Sequence, residues 1–153
     1  MSRQQQADVL WRAQRERTPC APLTEDDPEL SVEDAYAIQR INLARAPGEL
    51  VGRKIGLTSR ALQEWLGVDR PDFGGLLSSM RRAEGAPIQA DALLQPRAEA
   101  EVAFVLGRDL DAGPIGPAEV IGATAYLLPA LEIIDSRIQD WSITYADTIT
   151  DNA

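Results

Sequence analysis

Three glutamates have types and spacing that could do chemistry. Glu99 and Glu101 stand two residues apart in the run RAEAEVAFVL at 97–106. Side chains at i and i+2 of a strand leave on one face, so this spacing predicts a carboxylate pair. Like charges held side by side repel unless a cation lies between them. Glu132 stands inside the apolar run ALEII, where an uncompensated carboxylate is costly to bury. Three carboxylates plus water suit octahedral Mg²⁺ or Mn²⁺. Each also has a plainer reading. The Glu99/Glu101 pair is what the solvated face of an antiparallel sheet presents. Glu132 could be half of a buried ion pair with an arginine such as Arg137.

Further candidates are single residues. Lys54 lies between Gly52 and Gly56 in GRKIGLTS. A cation there could meet a substrate carboxylate or oxyanion, or be an edge-strand lysine facing water. The string is not a phosphate loop, because the Gly–Lys spacing is wrong and no Ser or Thr follows the lysine. Asp72, in RPDFGG, is an acid on a glycine-rich loop that could close over a ligand, or part of an ordinary turn. Asp135, Arg137, Asp140 and Asp147, in DSRIQDW and DTITDN, could orient the glutamates or form a charged turn. Asp140 fits the turn better.

The 153 residues include no histidine, which removes Ser–His–Asp triads, Cys–His pairs and HExxH zinc sites together. Acid–base chemistry then falls to carboxylates, Lys, Tyr or metal-bound water. A metal site must be oxygen-rich, which selects hard cations.

The elements that must position these groups follow from pattern. Residues 3–17, with Val9, Leu10 and Trp11 in a polar run, predict an amphipathic helix. Residues 18–30 carry three prolines and an acidic cluster and predict a loop or surface linker. Ser31 opens a second helix, with Val32, Ala35, Tyr36, Ile38 and Leu43 as its buried face, stopped by Pro47-Gly48. Residues 49–58 predict a strand whose glycines allow close approach. A short helix over 60–66, capped by Ser59, should end at Gly67, and VDRPDFGGLL reads as a loop. Residues 97–106 are the clearest strand, with Ala98, Ala100, Val102, Phe104 and Leu106 on one face and Glu99, Glu101, Ala103 and Val105 on the other. Residues 107–117 are turn-rich, Pro117 suits the start of a helix to Thr124, and 127–134 form a second apolar strand. Asp140-Trp141 sits in a short helix or turn, and 147–153 close the chain. The fold class is α+β, helices first and then sheet.

Bulk properties narrow the partners. The composition, 44% hydrophobic and 25% charged, is that of a globular domain. A net charge of −9 argues against nucleic acid and against anionic membrane surfaces. One cysteine excludes an intrachain disulfide. No run is long and apolar enough to span a bilayer, and the first residues lack a signal-peptide pattern, which together point to the cytoplasm.

In sequence order, GRKIGLTS, GVDRPDFGGLL, PRAEAEVAFVL, PALEIIDSRIQDWSI and DTITDNA resemble the 2-oxopent-4-enoate (2-hydroxypentadienoate) hydratase family, within the fumarylacetoacetate hydrolase-like superfamily. The likeness starts near residue 31 and is dense from 51. It implies a mixed β-sheet or β-roll, with 1–50 as a helical region and 51–153 as the first part of the catalytic β domain, its C-terminal part absent. It places the family's E-x-E metal motif on Glu99 and Glu101, its third metal carboxylate on Glu132, its active-site lysine on Lys54 and its loop acid on Asp72. The implied cofactor is Mg²⁺ or Mn²⁺. The implied reaction adds water to 2-hydroxypenta-2,4-dienoate, giving 4-hydroxy-2-oxopentanoate, in aromatic compound catabolism. A 2-oxo-3-hexenedioate decarboxylase is the alternative, although GRKIGLTS and SRIQDWSI are more hydratase-like. Expected partners are the small 2-hydroxy-dienoate or 2-oxo acid, further copies of the chain, and a decarboxylase or aldolase of the same pathway. A chain resembling about three-fifths of a family member also suits an incomplete subunit that pairs with a full-length partner.

Overall fold

The computed structural model describes residues 1–111 and 113–152. Ala112, in the expected turn-rich stretch, and Ala153, the end of the expected closing segment, lie outside the described residues. The chain divides into two units, Met1–Pro96 with Asp135–Ala153, and Arg97–Ile134.

The first unit opens with helix α1, Arg3–Glu16, as its pattern predicts. Ser2 and Gln5 cap it reciprocally, each side chain accepting the other's backbone N–H, which satisfies two donors the helix cannot. Gln6, Ala7, Leu10 and Ala13 form the buried stripe. Trp11 instead offers its ring face to the Arg45 guanidinium, 5.2 Å from the centroid. The segment expected as a surface linker contains helix α2, Leu23–Asp26. Leu23 and Leu30 draw it inward, into one cluster with Ala7, Leu10, Ile38 and Ile138. Helix α3, Val32–Arg45, is capped by the Ser31 hydroxyl, which accepts from Asp34 N–H at 3.1 Å. Its buried residues are Ala35, Ile38 and Gln39. Val32, expected inside, stays 38% exposed, because it is the first helical residue, at the end of the packed stripe.

Strand β1, Leu50–Gly56, follows, and helix α4, Arg60–Leu66, ends as expected at Gly67, whose φ of +68° suits a residue without Cβ. Ser59 forms no side-chain capping bond. The stretch expected as a loop, VDRPDFGGLL, supplies strand β2, Asp72–Leu77, antiparallel to β1. Two glycines and an aspartate argue against a strand by propensity, but neighbouring side chains that fill the space above the glycines override it. Cys20 and Ile138 form an isolated parallel bridge, with Cys20 N–H donating to Arg137 O and Gln139 N–H to Cys20 O, each at 2.9 Å.

Asp147, fully buried, ties two helices of this unit together. It caps the last helix, Tyr145–Asp151, by accepting from Thr144 N–H at 3.1 Å and Oγ1 at 2.8 Å. It also accepts from Thr24 of α2, N–H at 3.2 Å and Oγ1 at 2.6 Å. A buried carboxylate is tolerated when donors surround it in this way.

The second unit contains strand β3, Pro96–Leu106, helix α5, Pro117–Ala123, and strand β4, Thr124–Asp135; the last helix of the first unit is therefore α6. β3 and β4 form a two-stranded sheet. Gly107 N–H donates to Ala123 O at 2.8 Å, joining the end of β3 to the start of β4 as in an antiparallel pair. Burial alternates only at the end of β3, from Val102 on, and in β4 from Ala130 to Ile134; residues 96–101 are all exposed. Ala103, Val105, Ala130, Glu132 and Ile134 are half-buried, while Val102, Phe104, Leu131 and Ile133 are exposed. Helices with small antiparallel sheets make the chain α+β, as expected.

Asp147→Ala should destabilise the chain by about 2–4 kcal/mol, since it strands the Thr24 and Thr144 donors and leaves a cavity. Urea unfolding measures this, and a loss below about 0.5 kcal/mol would show that these bonds do not hold α2 and α6 together.

Candidate metal centre and the Lys54/Asp72 face

β3 and β4 bring the three glutamates to one side of their ribbon. One carboxylate oxygen from each of Glu99, Glu101 and Glu132 lies within 4.8 Å of the other two. Among the described residues this is the group of acidic, His or Cys side chains that could hold an ion. Had Glu132 pointed to the other face, the predicted trio would have failed. Glu99 and Glu101 are exposed and Glu132 is half-buried. The donor set is entirely carboxylate oxygen, as a hard cation needs. Metal–oxygen distances near 2.1 Å put adjacent ligand oxygens about 3 Å apart, closer than the 4.8 Å limit within which these oxygens lie.

Lys54 and Asp72 belong to the first unit and share one face of the β1–β2 pair. Lys54 stands opposite Gly74, and Asp72 opposite Gly56, so the two charged residues occupy diagonal positions. Both glycines are spatial necessities. A Cβ at Gly56 would collide with Oδ1 of Asp72. A Cβ at Gly74 would lie 2.8 Å from Lys54 Cε and would also strike the Asn152 carboxamide. Each charged side chain therefore lies over a glycine of the opposite strand. Asp72 is only 6% exposed and Lys54 is half-buried. The expected loop acid is thus a strand residue, fixed by the β1–β2 register.

Two phenols line the Asp72 segment. Tyr36 stacks on Phe73, with ring centroids 4.4 Å apart, and its hydroxyl accepts from Phe73 N–H at 3.3 Å. Tyr145 O–H donates to Pro71 O at 3.0 Å. Burial pushes both phenols above their ordinary pKa, and the nearby Asp72 charge adds to the rise. Both therefore stay protonated at neutral pH. Sequence reasoning placed Tyr36 only as a packing residue and passed over Tyr145 and Gln39. A glutamine on an apolar helical stripe was the available signal for Gln39.

The charged stretch after β4 has structural work of its own. Asp135 accepts from Leu94 N–H at 2.9 Å and Gln95 N–H at 2.7 Å. Arg137, the candidate ion-pair partner for Glu132, is held by Asp151 and by Gln14 Oε1 at 2.9 Å. Asp140 is an exposed turn residue at φ 56°, its N–H donating to Gln95 Oε1 at 2.8 Å, in line with the turn reading.

No family model matches the chain. Individual proteins do. The chain is 48% identical over 154 residues to a 2-keto-4-pentenoate hydratase of Paraburkholderia xenovorans (strain LB400), covering 99% of this chain and 57% of that protein. It is 46% identical over 151 residues to a 2-hydroxypent-2,4-dienoate hydratase of Pseudomonas putida, covering 95% and 68%. Among solved structures, 4-oxalocrotonate decarboxylase from Pseudomonas putida G7, complexed with magnesium and adipate, superposes with a TM-score of 0.85 at 29% identity, covering 99% of this chain and 60% of that one. The same enzyme complexed with calcium and acetate gives 0.84 at 31%, covering 95% and 56%. The chain belongs to the 2-keto-4-pentenoate hydratase family, whose wider structural relatives include a decarboxylase. It spans less than three-fifths of the length of the xenovorans hydratase.

Gly56→Ala should cost about 1–3 kcal/mol by forcing Asp72 from its place. Gly52→Ala, whose Cβ would meet Leu76 Cδ1 at an ordinary 3.7 Å, should cost less. Chemical denaturation of both decides, and equal losses would show that the space above Gly56 is not reserved for Asp72.

Proposed function

We propose that this chain is the metal-binding part of a hydratase that adds water to 2-hydroxypenta-2,4-dienoate, giving 4-hydroxy-2-oxopentanoate, in the breakdown of aromatic compounds. The observation that carries the reading is the meeting of Glu99, Glu101 and Glu132 on one ribbon face, in a chain 44–53% identical to proteins named as hydratases of such dienoates. In this reading 51–153 are the first part of a catalytic β domain of the fumarylacetoacetate hydrolase-like roll type, and 1–50 a helical region. Copies of the chain associate, and a decarboxylase or aldolase of the same pathway is its neighbour.

Glu99, Glu101 and Glu132 would hold Mg²⁺ or Mn²⁺. Such an ion supplies a Lewis acid for the carboxylate and adjacent oxygen of a 2-oxo acid. Lys54 Nζ offers a positive charge to an enolate oxygen, or a proton to carbon. Asp72, nearly excluded from water, handles a proton at its carboxylate. The chemistry balances with one water. Carbon 5 of the diene takes a proton as the 2-hydroxyl becomes a ketone, leaving an α,β-unsaturated 2-oxo acid. Water then places its oxygen on carbon 4 and a proton on carbon 3.

The decarboxylase reading is supported by the likeness to 4-oxalocrotonate decarboxylase. The hydratase reading is preferred because the named hydratases are nearer in sequence. Glu99→Gln with Glu101→Gln should weaken Mn²⁺ binding about tenfold or more, read as loss of the thermal shift that the ion gives the parent chain. The same variant should lower Mg²⁺-dependent loss of diene absorbance about 100-fold or more. Unchanged binding and turnover would remove the metal role, and CO₂ release from a 2-oxo-hexenedioate without diene hydration would favour the decarboxylase.

A further inference from the structure

The outer edge of β2 is closed by side chains. Phe73 and Gly75 stand opposite Ile55 and Arg53, two residues apart, so their backbone groups point the same way. Phe73 N–H donates to Tyr36 Oη at 3.3 Å, and Phe73 C=O accepts from Gln39 Nε2 at 3.2 Å. Gly75 N–H donates to Asn152 Oδ1 at 2.9 Å, and Gly75 C=O accepts from Asn152 Nδ2 at 3.1 Å. Asn152 thus offers β2 the donor and acceptor that a third strand's peptide unit would. It does so from the left-handed position that ends α6, at φ 53°, a conformation asparagine tolerates. Gln39, 5% exposed, also donates to Ile149 O of α6 at 2.9 Å, locking the end of that helix to the strand.

We infer that Asn152 is a positioning residue for Lys54 and Asp72. A two-stranded pair is marginal in water, so the lateral place of β2 depends on what holds its free edge. Asp72 begins that strand three residues before the clamped Gly75. The coupling to Lys54 is direct, because the side chains of Asn152 and Lys54 both occupy the space a Cβ of Gly74 would need. The inference rests on the reading above that Lys54 and Asp72 handle substrate.

Asn152→Gly is the discriminating variant, since glycine keeps the left-handed turn and deletes both bonds. Exchange of the Gly75 amide should accelerate about tenfold. The Lys54 Nζ and Asp72 Cγ resonances should shift. Asn152→Asp, which keeps the acceptor for Gly75 N–H and loses the donor to its carbonyl, should fall between. Leu10→Ala, which loosens the core on α1 and lowers Tm, should leave both resonances in place. If Asn152→Gly leaves them in place, or Leu10→Ala moves them equally, the positioning role is wrong. Lys54→Ala and Asp72→Asn separate the two ideas. Unchanged hydration in both overturns the substrate-handling reading, while the resonances still decide the clamp.

Discussion

The gathering of three carboxylates on one ribbon face is the constraint from which the second unit must be understood. Strand geometry sends Glu99 and Glu101 to the same face, and pairing of β4 with β3 adds Glu132 to them. Side chains of one sign placed opposite each other destabilise a ribbon unless they are compensated, and the chain as a whole already carries −9. A divalent cation reverses the sign of that local interaction. On the proposed metal role, the same three residues would cross-link the two strands through one ion. Ion binding and ribbon stability would then be linked through these three residues.

The β1–β2 pair solves a different problem, which is how to hold one buried and one half-buried charged side chain on a small sheet. Glycine opposite each of them supplies the room. Glycine also removes side-chain packing from β2, so the strand's hold on its neighbours has to come from elsewhere. The backbone groups at Phe73 and Gly75 are accordingly satisfied by Gln39, Tyr36 and Asn152. An edge strand left bare would be a template for another chain; here that part of the edge is closed from within.

What could be read from sequence divides along the same physical line. Local rules gave α1, α3, α4 and their ends, because capping residues and a left-handed glycine act within a few residues. The glutamate trio was legible because period-two alternation is rigid and because a carboxylate inside ALEII demands compensation. β2 does not show in its own residues, since its strand character comes from pairing with β1 and from edge partners 34 to 77 residues away, Gln39 and Asn152. For the same reason the sequence around Asp72 reads as a loop. The packing of 18–30 was missed because its prolines speak locally, while the burial of Leu23 depends on α1 and α3.

The two faces of the β3–β4 ribbon show how far burial and function are separated in this unit. The glutamate side carries half-buried small residues, Ala103 and Ala130 among them. The other side presents Val102, Phe104, Leu131 and Ile133, apolar and exposed. A ribbon of two strands gains little from its own contacts, so its order depends on what binds each face. On one side that is a matter of charge, which a cation would meet in the proposed reading. On the other it is a matter of apolar area, about 25 cal/mol for each Å² removed from water. Covering the apolar side would hold the ribbon's twist and register, and with them the spacing of the three glutamate oxygens. In the proposed reading, the ion affinity of the carboxylate face would then depend on an apolar surface that never touches the ion.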